Sequence, residues 1–213
     1  MSALVYEDII QRLEETDPAK RLTITPLLNR ERQVGAASVD LRLGSEFLET
    51  PRQSTPYLDP FKTEDDEEAE VVEDRRSYVP LGNTFVLHPG QFVLGATLEF
   101  LVFPGDITGQ VLSRSSWGRV GLLVATAVAV HPGFRGVLTL ELVNAGSLPI
   151  VLRPGLRVAQ LQMWKSDRPT KKLYSGKYDA PLGPQSNKLV AEAAERTILN
   201  QVTQEMNPGR AEL

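Results

Sequence analysis

From Tyr78 to Trp164 the chain alternates apolar and polar residues in short runs, each closed by a turn signal. Val79–Leu87, Phe92–Phe103, Leu122–Val130, Val137–Val143 and Ile150–Leu152 are rich in Val, Leu and Thr, as strands are. Pro-Gly pairs at His88-Pro89-Gly90, Pro104-Gly105, His131-Pro132-Gly133 and Arg153-Pro154-Gly155 punctuate them, with Asn144-Ala145-Gly146 between. Strands spaced about 8–12 residues apart predict an all-β sandwich or barrel. Before this block, Ser38–Gly44 alternates with period two and reads as a strand ending in a turn at the glycine. Arg21–Leu28 reads as a strand broken at Pro26.

Two stretches have helical period. Val5, Ile9, Ile10 and Leu13 give an amphipathic helix over residues 5–15, and Leu189, Ala193 and Ile198 or Leu199 give another over 188–205. Residues 49–77 fit neither period. They are proline-rich and then acidic, with six acids among the seven residues Glu64–Glu70. Such a run cannot bury itself, so it reads as a solvated, mobile insertion over about 62–76, with an acidic tail or metal site as the other reading. Residues 170–185 read as a loop that could order over a ligand, with Tyr174, Lys177 and Tyr178 in it. The whole of 1–213 is read as a single domain, with the lid and terminal helix over about 170–205.

Composition removes several chemistries. The sequence has no cysteine and two histidines, His88 and His131. Disulfides, thiolate zinc sites, iron–sulfur clusters and cysteine nucleophiles are excluded, and a histidine-rich metal centre is disfavoured. No apolar run reaches the ~20 residues of a membrane span, and the acidic first residues do not form a secretory leader, so the expected compartment is the cytoplasm. The net charge of −4 disfavours nucleic acid as a partner. Residues 111–177 nevertheless hold ten Lys or Arg against two acids. That excess suits a small polyanion such as a nucleotide phosphate, or is scattered surface charge.

The candidate chemistry lies inside that basic stretch. Ser113–Arg119 places three hydroxyls and two guanidiniums within seven residues, either a phosphate-binding turn or a solvated polar one. Glu141 is a lone acid in an apolar strand. Alternation puts Val137, Thr139, Glu141 and Val143 on one face and Leu138, Leu140 and Leu142 on the other. If the leucines face the core, Glu141 lines the opposite side, as a general acid and base or as an exposed strand acid. His131 reads as a turn residue. Asp40 and Arg42 share a strand face and read as a structural salt bridge, with each other or across an interface.

In order along the chain, Arg21–Pro26, Ala37–Gly44, Leu87–Gly95, Arg114-Ser115-Ser116 with Arg119, Pro132–Glu141, Arg153–Leu161 and Ser175–Tyr178 with Gly183-Pro184 resemble the deoxycytidine triphosphate deaminase family, within the trimeric deoxyuridine triphosphatase superfamily. The resemblance implies a distorted β-barrel or jelly-roll-like fold and a homotrimer with sites between subunits. It implies zinc-independent hydrolytic deamination of dCTP to dUTP and ammonia, with Mg2+ accompanying the triphosphate. It makes Glu141 the catalytic carboxylate, with Ser115 and Arg119 holding the water and that carboxylate. It gives Arg114, Ser115, Ser116 and Gln160 to the phosphates, and Lys177 and Tyr178 to a closing tail. The sequence departs from the family at His131, where an aspartate near the deoxyribose is usual, at the small apolar run Val124–Val130, and at Pro181 in place of a tail glutamine. The superfamily's pyrophosphatase activity relies on that aspartate, which weighs against it here. A non-catalytic nucleotide sensor on the same fold is the further alternative.

Overall fold

The computed structural model describes residues 1–50, 74–124, 129–176, 180–186 and 193–206, with side chains in the last segment from Thr197 onward. The chain divides into one unit of Met1–Thr50 with Asp74–Ser186, and a second of Pro51–Glu73 with Asn187–Leu213. The described part of the second unit is a helix, Ala193–Met206, on which Ile198, Leu199, Val202 and Met206 are exposed. Most of the acidic stretch, the center of the Val124–Val130 run, Lys177, Tyr178 and the predicted helical residues 188–192 lie outside the described residues.

The first unit is built of strands, as the alternation predicts. In chain order these are β1 (Ser2–Ala3), α1 (Tyr6–Glu14), β2 (Thr23–Thr25), α2 (Arg30–Gln33), β3 (Val39–Glu49), β4 (Arg75–Tyr78), β5 (Phe85–Leu87), β6 (Phe92–Val102), β7 (Ile107–Ser113), α3 (Ser115–Gly118), β8 (Leu122–Val124), β9 (Ala129–Val130), β10 (Arg135–Asn144), β11 (Ile150–Leu152) and β12 (Arg157–Lys165). The principal sheet runs β8-β10-β6-β3-β12-β7-β9, with β1, β2 and β4 added at β12, β6 and β3, while β5 and β11 form a separate two-stranded sheet. All its pairs are antiparallel. The sheet curls: Ser113 Oγ at the end of β7 accepts from Val124 N at 2.9 Å and donates to Val124 O, drawing β7 to β8 from the opposite end of the strand order. This is an all-β, barrel-like fold.

One face of each long strand supplies the core. Leu41, Leu43, Phe47, Leu101, Leu122, Leu140, Leu142, Leu152, Val158 and Leu161 are fully or almost fully buried. Each such side chain contributes roughly 1.5–3 kcal/mol of burial free energy. Buried Ile9 of α1 joins the same cluster, and Arg12 pairs with Asp106 in the turn before β7. Buried Asn144 braces the β5–β11 pair: its amide donates to Leu87 O and Leu148 O, each at 2.9 Å, and its oxygen accepts from Gly146 N.

Three expectations from the sequence are corrected. Gly44 does not end its strand; β3 continues to Glu49, with the pairing to β6 slipping between Leu43 and Phe47. A Cβ at Gly44 would stand 3.1 Å from Ala96 O and 3.3 Å from Thr97 O, so β3 and β6 run close there and a side chain would require the neighboring backbone to give. Val79–Leu87 is not one strand: residues 79–84 form a turn before β5. Arg75 and Arg76 belong to a strand rather than to the acidic insertion, because β4 pairs them against β3, where Arg75 faces Glu49 and Arg76 Nη1 reaches Glu46.

Candidate active site

Two clusters hold four of the described candidates, and Glu141, Ser115, Ser116 and Arg119 stand apart from both. The first cluster gathers on Asp40 of β3. Gln160 of β12 lies directly opposite Asp40 and donates from Nε2 to Asp40 Oδ1 at 3.2 Å. Arg157 Nη1 bonds Asp40 Oδ2 at 3.0 Å, and Arg114 Nε stands 3.4 Å from Oδ1. Arg114 is carried there because β7 pairs with β12, with Leu112 opposite Gln160. Arg114 Nη1 and Trp117 Nε1 both donate to Arg157 O, at 3.2 and 2.8 Å. Two candidates, Arg114 and Gln160, are thus brought together. Two guanidiniums around one carboxylate leave the cluster positive, which suits an anion.

The expected Asp40–Arg42 pairing does not form. Asp40 is a salt-bridge residue, but its partners are Arg114 and Arg157. Arg42 turns the other way, donating from Nε to Gln33 Oε1 at 3.0 Å and from Nη1 to Gly155 O at 2.6 Å. Behind it lies Glu99 of β6, fully buried. Its oxygens accept from Gln33 Nε2 at 2.9 Å and Arg42 N at 2.8 Å. Burial pushes the Glu99 carboxyl up to about 7, against these hydrogen bonds and the Arg42 charge, which favor the ionised form.

The second cluster is aromatic. The His131 and Tyr174 rings stack at 5.8 Å with planes 13° apart, and Phe134 meets Tyr174 at the same centroid distance, tilted. Tyr174 N donates to Pro132 O at 2.9 Å, fixing the tail on this turn. Beyond it the described tail follows β10: Ala180 N bonds Arg135 O, Val137 N bonds Pro181 O, and Gln185 N bonds Thr139 Oγ1.

Glu141 stands two residues beyond Thr139 on the same face of β10. From Leu138 on burial alternates as predicted: Leu138, Leu140 and Leu142 are buried, while Thr139, Glu141 and Val143 are half-buried. Val137, expected on the outer face, is buried instead, where the pairing with β6 shifts and the tail bonds it at Pro181 O. Glu141 therefore lies on the side opposite the core, across from Leu94 of β6. Among the described residues its carboxylate makes no hydrogen bond or ion pair. The side chains of Ser115, Ser116 and Arg119 are exposed on and after α3, likewise without a hydrogen bond among the described residues. The end of β7, just before α3, is tied to β10 through β8: the Ser113 hydroxyl bonds the Val124 backbone, and Val124 pairs with Leu142. No hydrogen bond links Glu141 to Ser115 or Arg119 within the chain. Among the described residues no group of three His, Asp or Glu could hold a metal ion, and no helix is long and apolar enough to cross a membrane.

Sequence reasoning missed Arg157 and Glu99. Arg157 has no signal beyond its place after the Arg153-Pro154-Gly155 turn. Glu99 carries the same signal that singled out Glu141, an acid in an apolar strand between Leu98 and Phe100.

Comparison with known proteins identifies the class. A family profile described as dCTP deaminase-like matches residues 4–166. A dCTP deaminase of Halorubrum lacusprofundi is 42% identical over 92% of this chain and 96% of its own length. A relative from Dictyoglomus turgidum named dCTP deaminase, dUMP-forming, is 39% identical over 86% of this chain and 92% of its own. The crystal structure of the 2′-deoxycytidine 5′-triphosphate deaminase of Agrobacterium tumefaciens superposes with a TM-score of 0.55 at 24% identity, covering 78% of this chain and 48% of that one, so this chain spans about half its length. The chain belongs to the dCTP deaminase-like family, and it is an enzyme.

Proposed function

We propose that this protein hydrolyses the exocyclic amine of dCTP, taking up one water and releasing ammonia and dUTP. The observation that carries this reading is Glu141: a half-buried carboxylate on the long strand β10, with no hydrogen bond or ion pair among the described residues. In this reading Glu141 takes a proton from water as the oxygen attacks C4 of the cytosine, then delivers a proton to the departing amine. Ser115 and Arg119 hold that water and the carboxylate, and the guanidinium stabilises negative charge that develops at the base.

Arg114, Ser116 and Gln160 meet the phosphates, with Lys177 and Tyr178 closing from the tail and Mg2+ arriving as part of the substrate. His131 and Tyr174 flank the sugar. In this reading a neighboring copy in a homotrimer completes the site, as the family resemblance implies. The absence of cysteine from the sequence supports a route without zinc.

A second reading is favored by the relatives named dUMP-forming: a further water cleaves the triphosphate, giving dUMP and pyrophosphate. It lacks support at His131, whose imidazole cannot replace an anionic base. Incubation with dCTP and with dUTP, followed by chromatography, separates the two. Ammonia and dUTP from dCTP, with dUTP left intact, are expected. Pyrophosphate from either nucleotide would establish the second reading, and nucleotide binding without turnover would sink both. The expected ammonia release is insensitive to a zinc-selective chelator.

A further inference from the structure

We infer that Asp40 is a positioning residue for the phosphate-facing donors: it holds the guanidinium of Arg114 and the amide of Gln160 in one orientation each before substrate arrives. The inference rests on the reading above that these two side chains meet the triphosphate.

Asp40 is 7% exposed, yet its two oxygens receive groups from three side chains on two other segments. A carboxylate only accepts. It therefore compels Gln160 to turn its NH2 side inward, and the second amide hydrogen is left for another acceptor. Arg114 is held by Nε near Asp40 and by Nη1 on Arg157 O, so the guanidinium plane is fixed at two points. Its Nη2 makes no hydrogen bond among the described residues. A structural ion pair would satisfy its partners; this one orients them and leaves a donor on each.

The backbone that carries Asp40 is itself anchored from the core. Gln33 Nε2 donates to Asp40 O at 3.2 Å and also to Glu99 Oε1, while Glu99 Oε2 takes the Arg42 backbone on the same strand. Arg157 is steadied separately by Arg32 O at 2.7 Å. Donors fixed in this way bind an anion without first losing their own rotamer freedom.

Removal of Asp40 has two opposed effects, and the sign decides between them. Deleting a negative charge beside a phosphate site strengthens anion binding by Coulomb attraction alone. Loss of alignment weakens it. The test uses the full chain as wild type, Asp40→Asn and Asp40→Asn/Arg157→Gln, the last removing both charges so that neither is left buried alone. Calorimetry measures the Kd of inorganic triphosphate, and ammonia release gives kcat and KM for dCTP.

Asp40→Asn is expected to raise the triphosphate Kd and the KM by about tenfold, with kcat changed less than about threefold. In an Arg114→Ala background the same change is expected to add less than about twofold, because its route through Arg114 is gone. Tighter or unchanged triphosphate binding in Asp40→Asn, or full additivity with Arg114→Ala, overturns the inference. If Asp40→Asn does not unfold cooperatively, the double variant decides: a raised Kd supports the inference and a wild-type Kd overturns it. Wild type that binds triphosphate but releases no ammonia ends the deamination reading and leaves the Asp40 result standing. Wild type that binds no inorganic triphosphate, with the KM for dCTP unchanged in Asp40→Asn, overturns the inference, while ammonia release alone decides the deamination reading.

Discussion

Glu99 and Glu141 sit on neighboring strands of one sheet, each the lone acid of an apolar run, and they end in opposite circumstances. Glu99 faces inward. It is fully buried, takes a hydrogen bond on each oxygen, and its carboxyl is pushed up to about 7. Glu141 faces outward from β10, half-buried and without a partner among the described residues. The first carboxylate has its bonding capacity used by Gln33 and Arg42. The second keeps its capacity for something outside the chain. What separates the two acids is the face of the strand and the donors that meet it, not the sequence around it.

The sharpest way to break this contrast is Glu141→Gln. The change keeps size and removes the base, so ammonia release from dCTP is expected to fall by about 10²–10⁴-fold. Because no internal partner is lost, stability is expected to stay within about 0.5 kcal/mol of wild type in denaturant titration. Residual activity near the wild-type level would return Glu141 to the status of an exposed strand acid.

Glu99→Leu is expected to give the reverse. It leaves Gln33 Nε2 and Arg42 N without their acceptor, each costing about 1–3 kcal/mol, read as a lowered denaturant midpoint. Glu99→Gln keeps the shape and one acceptor and is expected to lose less.

The smallest expected effect is on the pH dependence of stability. Folding raises the Glu99 carboxyl from 4.5 to about 7, so across that window the folded chain holds a proton that the unfolded chain has released. The contribution of this group therefore falls as pH rises from 4.5 toward 7, and is level above and below. Glu99→Gln is expected to flatten that part of the curve, and Glu141→Gln to leave it in place. Parallel curves for wild type and Glu99→Gln would show that Glu99 does not titrate there.

The strand pattern was legible where a strand buries one face, as period two survives in Leu138, Leu140 and Leu142 of β10, whereas β3 and β6 bury consecutive residues over much of their length. The face of Glu141 followed directly. Breaks in the pattern were less readable. Gly44 looked like a stop, and only the nearness of Ala96 O shows it to be a passage through a close backbone contact. Arg75 and Arg76 looked like the end of a charged run, because their cross-strand partners Glu46 and Glu49 lie about 30 residues earlier. The same distance in sequence hid the Asp40 cluster, where β3, β7 and β12 contribute one or two residues each. Asp40 and Arg42 invited pairing by adjacency, yet register hands Asp40 to Gln160 and leaves Arg42 to the layer behind.

Gly136 has a φ of +134°, and a Cβ there would stand 2.4 Å from Pro181 Cδ. The missing side chain is the notch into which the tail proline drops. Because that notch belongs to the strand and not to the tail, it works as a register stop. It sets how far the segment after it extends toward Thr139, so a single methyl at residue 136 would shift every later tail residue relative to the carboxylate two positions beyond.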